Sequence, residues 1–320
     1  MNQRPIRIAT RASRLALWQA HHVAALLKPW ASSRPINMVH VKTAGDLEVN
    51  EPLKQFGGQG LFTKDVQKAI LNKDADLAVH SLKDLPTENV PGLTLAAVPV
   101  RGESTDCLVL SVKSDLAETA KGETPLDHLP PQARIGTGSP RRGAQLLYYR
   151  SDFALLEIRG NVETRIRKLD QAECDAIVLA EAGLRRLGLE ARISQRLDPP
   201  LMFPAPGQGA LGIECRTDDQ ETLSLLHHLD DPATSAAVHA ERAVLSRLRA
   251  GCRAPLGVAT YAEGGQLSLE AVVLSHDGRE RLIALRRGPL SDPDSLGNEL
   301  ADELLRQGAA KLIDEARHET

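Results

Sequence analysis

The residues best suited to chemistry sit where apolar runs turn abruptly polar. Ala75–Pro86 is the plainest case: Leu77-Ala78-Val79 reads as a buried strand, and His80, Ser81, Lys83 and Asp84 follow before Pro86 stops the run. A strand that delivers polar side chains at its C-terminal end is how α/β proteins build sites. Three further junctions share a composition: Thr10-Arg11-Ala12-Ser13, Thr137-Gly138-Ser139-Pro140-Arg141-Arg142, and Arg159-Gly160-Asn161 with Arg165 one turn on. Each sets hydroxyl or amide groups and arginines where a helix begins. A helix N-terminus carries free N–H donors and partial positive charge, so it accepts anions. Arginine adds paired donors that match carboxylate or phosphate. Any one junction is equally a plain capped helix. Several of them, drawn from two apparent domains and joined by Ser81 and Lys83, describe a cationic cleft for a small polyanion.

Asp84 is the odd group among these donors. It is either a structural ion-pair partner or the one acid of a cationic site, where it would stabilise positive charge on a substrate or relay protons. Cys252, in Gly251-Cys252-Arg253-Ala254-Pro255, lies just past a helix end. Such a cysteine is either inert packing or a nucleophile or attachment point on a loop. The phosphate-loop pattern is absent, and Gly57-Gly58-Gln59-Gly60 follows no clear strand. His21-His22 and His227-His228 lack ligand partners at zinc spacing, so no metal is expected.

The elements that must hold these groups alternate. Strands are expected at 6–10, 36–42, 77–79 and 93–98, with helices from Leu15 to near Pro29 and from an opening at Leu61–Asp65 through Val66, Ala69 and Ile70. Ser13 is a suitable N-cap, and Leu15, Trp18, His22 and Leu26 form the apolar face of the first helix. Residues 43–60 read as a functional loop or lid. Near Arg101 the chain restarts, with strands at 106–112, 133–136, 154–158 and 176–180 separated by helices. Alternation of this kind implies mostly parallel sheets. Pro199-Pro200 and Pro204-Ala205-Pro206 read as a linker, and the stretch up to Arg216 completes one of the first two domains. The last third changes texture: a helix from Ala233 to Leu248, then strands at 256–261, 267–274 and 281–286 joined by Gly264-Gly265 and Asp277-Gly278, both hairpin signals. A helical span over 295–315 completes a small α+β domain with a three-stranded antiparallel sheet.

Composition narrows the function. The 320 residues carry a net charge of −3 and only 3% aromatics, which argues against nucleic-acid binding. No apolar run reaches membrane-spanning length, and the N-terminus has no signal-peptide pattern. The four scattered cysteines read as reduced thiols, so a cytoplasmic protein is expected. A non-enzymatic oxyanion-binding protein on the same two-domain plan is the main competitor. The extra C-terminal domain with its cysteine counts against it.

The chain resembles the porphobilinogen deaminase (hydroxymethylbilane synthase) family nearly end to end. The resemblance rests on residues 10–13 with Leu15-Ala16-Leu17-Trp18-Gln19-Ala20, on Val79–Pro86 and on Gly136–Arg142. It continues in Arg159–Arg165, Pro206–Ala210 and Gly251–Pro255. It implies an α/β fold of two type 2 periplasmic-binding-protein-like domains, 1–101 plus 203–218 and 102–202, followed by the α+β domain at 219–320. It implies a dipyrromethane cofactor joined by a thioether to Cys252, and condensation of four porphobilinogens with loss of ammonia to hydroxymethylbilane, by a monomer. Carried over by motif, Asp84 is the catalytic carboxylate. Arg11, Ser13, Phe62, Ser81, Lys83, Thr137, Ser139, Arg141, Arg142, Arg159 and Arg165 hold cofactor and substrate. The chain departs from the family at Gln55 and Gln59, where lysines are common; the neighbouring Lys54 is one register off.

Overall fold

The computed structural model describes residues 4–42, 63–112, 125–251 and 254–318. Phe62, Cys252 and the expected lid at 43–60 lie outside the described residues. The described chain falls into two compact units, Met1–Gly102 with Gly209–Val238, and Glu103–Gln208 with His239–Thr320.

In the first unit the elements run β1 (Ile6–Thr10), α1 (Arg14–Leu27), β2 (Ile36–His40), α2 (Lys64–Leu71), β3 (Leu77–Ser81) and β4 (Leu93–Ala97). In the second, β5 (Asp106–Leu110), β6 (Arg134–Gly136), α3 (Pro140–Tyr149), β7 (Ala154–Leu156), α4 (Val162–Asp170), β8 (Ala176–Ala180), α5 (Glu181–Arg186) and β9 (Gln195–Leu197) follow. The chain then returns β10 (Leu211–Arg216) and α6 (Gln220–His227) to the first unit. The two sheets have the same plan. One is ordered β2-β1-β3-β10-β4 and the other β7-β6-β8-β5-β9. In each, the fourth strand alone runs antiparallel to its neighbours: β10 against β3 and β4, β5 against β8 and β9. Each is therefore a mixed α/β sheet with one reversed strand.

Strand alternation builds a core on each face. In the first sheet Ile8, Leu77, Val79 and Ile213 pack with Val23 and Leu27 of α1, while Ala9 and Ala78 turn to Val66 and Ile70 of α2. In the second, Leu108, Ile135 and Val178 face Leu146 of α3, and Cys107, Val109, Ile177 and Leu179 face Ile166 and Leu169 of α4. Helix α1 differs from expectation by one register. It buries Gln19, Ala20, Val23 and Leu27, leaving Trp18 37% exposed and stacked on His22. Trp18 therefore covers the outer flank, while Leu26 stays at the edge of the core beside the fully buried Leu27.

Helix α7 (Pro232–Arg247) leads to an antiparallel sheet of β11 (Leu256–Glu263), β12 (Gln266–Leu274) and β13 (Arg281–Pro289). The hairpin turns use Gly264, Gly265 and Gly278 at positive φ, as the sequence signals require. Helices α8 (Pro293–Gln307) and α9 (Ala309–His318) follow. They replace the single expected helix because Gly308, at φ 106°, caps the first one in the left-handed region.

Two expected boundaries shift. Leu226 and Leu229 pack into the first core, so residues after 218 still belong to the first unit. Phe203 belongs to the second unit: it is fully buried with Ala144, Ala259 and Val272, and a Cβ on Gly257 of β11 would lie 2.5 Å from its Cβ.

Candidate active site

In the first unit, parallel strands β1 and β3 are neighbours, so their C-terminal turns lie side by side. The β1 turn carries half-buried Arg11 and Ser13. Ser13 caps α1, its Oγ accepting from Ala16 N–H at 3.3 Å. The β3 end carries Ser81 and then a 3₁₀ turn, Leu82–Asp84. Leu82 and Leu85 are buried with Val98, Ala210 and Val238, while Lys83 and Asp84 between them are exposed. The apolar pair thus anchors the turn and presents the charged pair. Leu82 N–H donates to Ala210 C=O at 3.1 Å. A Cβ on Gly212 would lie 2.6 Å from Leu82 Cδ1, so glycine is needed for this approach.

Gln19, in the sequence only one member of the Leu15–Ala20 motif, has a role the sequence does not reveal. Its Nε2–H donates to Ser81 Oγ at 2.7 Å, leaving the hydroxyl proton of Ser81 free to point elsewhere. The readable signal was a polar residue inside an amphipathic helix, and its cause lay 62 residues away. His80 faces the other way. Its Nε2 is 3.0 Å from Glu214 Oε2, and Gln67 Nε2 donates to both oxygens of Glu214. All three side chains are buried, so His80 braces β3 to β10 and α2.

In the second unit the two expected turns also lie together, at the ends of adjacent parallel strands β6 and β7. Thr137 N–H donates to Leu156 C=O at 2.9 Å. Thr137 is buried and Ser139 half-buried. Ser139 caps α3, accepting from Arg142 N–H at 3.5 Å, and Asn161 caps α4, accepting from Thr164 N–H at 2.8 Å. Gly160 has φ +113°, and a Cβ there would meet Thr164 Cγ2 at 2.6 Å. Arg165 Nε donates back to Gly160 C=O at 2.8 Å.

Arg141 and Arg142 have a second task that the sequence does not reveal. They are 5% and 6% exposed, and Asp106, at 0%, lies between them. Arg141 Nη1 and Arg142 Nη2 each donate to Asp106 at 2.7 Å, and Gln208 Nε2 adds a third donor at 2.8 Å. Burial alone would raise the Asp106 pKa, but the two guanidinium groups hold it well below the usual carboxylate range. The two arginines against one carboxylate leave the cluster positive. The missed signal is Asp106 itself, an acid heading the apolar run Cys107–Leu110, since a buried acid must have partners. Arg159 is paired differently: its Nε and Nη2 both donate to Glu157 Oε1, on the surface.

Among the described residues, no group of three or more His, Cys, Asp or Glu could hold a metal, and no helix is long and apolar enough to cross a membrane.

Residues 6–224 match the model described as porphobilinogen deaminase, dipyromethane cofactor binding domain. The chain belongs to the porphobilinogen deaminase family. Residues 235–306 match the model of that family's C-terminal domain. A porphobilinogen deaminase of Pelobacter propionicus is 44% identical over 315 residues, covering 98% of each chain. One from Roseiflexus sp. (strain RS-1) is 44% identical over 306 residues, covering 96% of this chain and 97% of its own. One from Desulforudis audaxviator is 44% identical over 315 residues, covering 98% and 99%. The arginine- and hydroxyl-bearing turns of this chain all lie within the stretch that matches the cofactor-binding model.

Proposed function

We propose that the chain is a hydroxymethylbilane synthase, a transferase that joins four porphobilinogens head to tail with release of ammonia. The observation that carries this reading is the setting of Asp84: an exposed acid beside Lys83, on a turn anchored by Leu82 and Leu85, in a chain of the porphobilinogen deaminase family.

The donor set suits a dipyrromethane. Its pyrroles carry acetate and propionate groups, and Arg11, Ser13, Ser81 and Lys83 in one unit, with Thr137, Ser139 and Arg159 in the other, are hydroxyl or cationic groups in the turns at strand ends, Arg165 following in α4. When bound through Cys252, it supplies the free pyrrole carbon to which each unit is added. The cysteine tether keeps successive couplings effectively intramolecular. The guanidinium and ammonium groups neutralise the carboxylates of porphobilinogen and orient it. Ser81, whose oxygen accepts from Gln19, turns its proton outward as a donor. As the protonated aminomethyl group departs as ammonia, positive charge spreads onto the pyrrole nitrogen of the substrate. The Asp84 carboxylate stabilises that charge, then accepts the proton released when the new carbon–carbon bond restores aromaticity. Arg141 and Arg142, compensated by Asp106, hold the Thr137–Arg142 turn in shape while supplying positive potential.

Asp84→Asn is the test. It is expected to retain porphobilinogen binding and to lower the coupling rate by about 10²–10⁴-fold, followed by single-turnover kinetics. Near-normal product formation would reduce Asp84 to a structural residue.

A further inference from the structure

The arginines of the second unit differ in how firmly their own protein neutralises them. Arg141 and Arg142 are locked to Asp106 in a fully buried cluster. Arg159 instead meets Glu157 at the surface, where the two side chains are 42% and 63% exposed. Glu157 and Arg159 flank Ile158, which is 5% exposed and anchors the strand end between them. Gly160 at φ +113° and the Asn161 cap fix the backbone on the other side. What can move is therefore the Glu157 side chain. It occupies the Nε–Nη2 edge of the guanidinium, the fork that a carboxylate ligand would engage in bidentate fashion.

We propose that Glu157 is an exchangeable internal counter-ion that occupies the carboxylate-binding edge of Arg159 until a substrate carboxylate displaces it. This rests on the reading of Arg159 as a porphobilinogen-binding residue. An exposed pair in high dielectric is cheap to break, so Glu157 attenuates capture rather than abolishing it. Porphobilinogen meets a neutralised arginine and must exchange one carboxylate for another. The same exchange lets Glu157 reclaim Arg159 as product carboxylates leave. Glu157 is thus a residue that sets affinity for the carboxylated pyrrole without taking part in coupling.

The test is a double-mutant cycle on the holoenzyme, reading KM for porphobilinogen and kcat. Glu157→Gln is expected to lower KM by up to about five-fold, the range of an exposed ion pair, with kcat no higher than wild type. Arg159→Gln is expected to raise KM, and Glu157→Gln should have no effect on KM in that background. If Arg159→Gln weakens binding but Glu157→Gln leaves KM unchanged or higher, the counter-ion role is wrong while the reading of Arg159 stands. If Glu157→Gln lowers KM equally with and without Arg159, Glu157 acts through the general field and the proposal fails. If Arg159→Gln changes nothing, both the reading of Arg159 and the proposal fall.

Discussion

Burial separates the ionic groups of this chain into fixed and exchangeable ones. Asp106 is fixed: removing its charge leaves two buried guanidinium groups uncompensated. Asp106→Asn is expected to cost about 3–5 kcal/mol at neutral pH, measured by urea unfolding. Its pKa is depressed in the folded chain, so its stabilisation is present above the unfolded value of about 3.9 and is lost as pH falls below it. The gap between wild type and Asp106→Asn should therefore narrow as pH drops through about 4; a constant gap would mean that packing, not charge, is responsible. The buried cysteines follow the opposite sign. Burial, aided by neighbouring Asp106, pushes the Cys107 thiol up to about 12, and burial with Asp219 does the same for Cys215. Neither is a thiolate near neutrality. Alkylation of the native protein at pH 8 should leave both unmodified, with labelling only on unfolding; rapid labelling would contradict their placement in the cores.

At the scale of elements, the site depends on glycines that let turns close. Gly212→Ala would press on Leu82 Cδ1 at 2.6 Å and Leu95 Cδ1 at 3.1 Å, an overpacking cost of about 1–3 kcal/mol. Because Leu82 anchors the Asp84 turn, kcat should fall as well as Tm. Leu82→Val in the same chain should recover part of both, and no recovery would show that Leu82 does not transmit the effect. Such local features were the legible part of the fold. Caps at Ser13, Ser139 and Asn161, strand ends and glycine hairpins all lie within a few residues of their partners. Partners distant in sequence were not legible. Gln19 and Ser81 are 62 apart, Asp106 and Arg141 are 35 apart, and nothing local announces either contact. The face of α1 is displaced for a related reason: the apolar period admits Trp18, whereas packing on β1 and β3 selects Ala20, Val23 and Leu27 one position on.

For the molecule as a whole, the two five-stranded sheets are copies of one plan. Each takes as its reversed strand the one that the chain forms next to a crossing, β5 on entering the second unit and β10 on leaving it. A single β10 therefore completes the first sheet, pairs with β3 and supports the Asp84 turn through Ala210 and Gly212. The antiparallel sheet of β11–β13 packs on Phe203 and α3 within the second unit. The proposed coupling needs both the Asp84 acid of the first unit and a tether at Cys252 in the C-terminal segment. Intact mass of the protein purified from a porphobilinogen-competent host, compared with Cys252→Ser, tests this directly. Wild type is expected to carry the added mass of two pyrrole units and the variant none. An unmodified wild-type chain, or an adduct that survives Cys252→Ser, would contradict it.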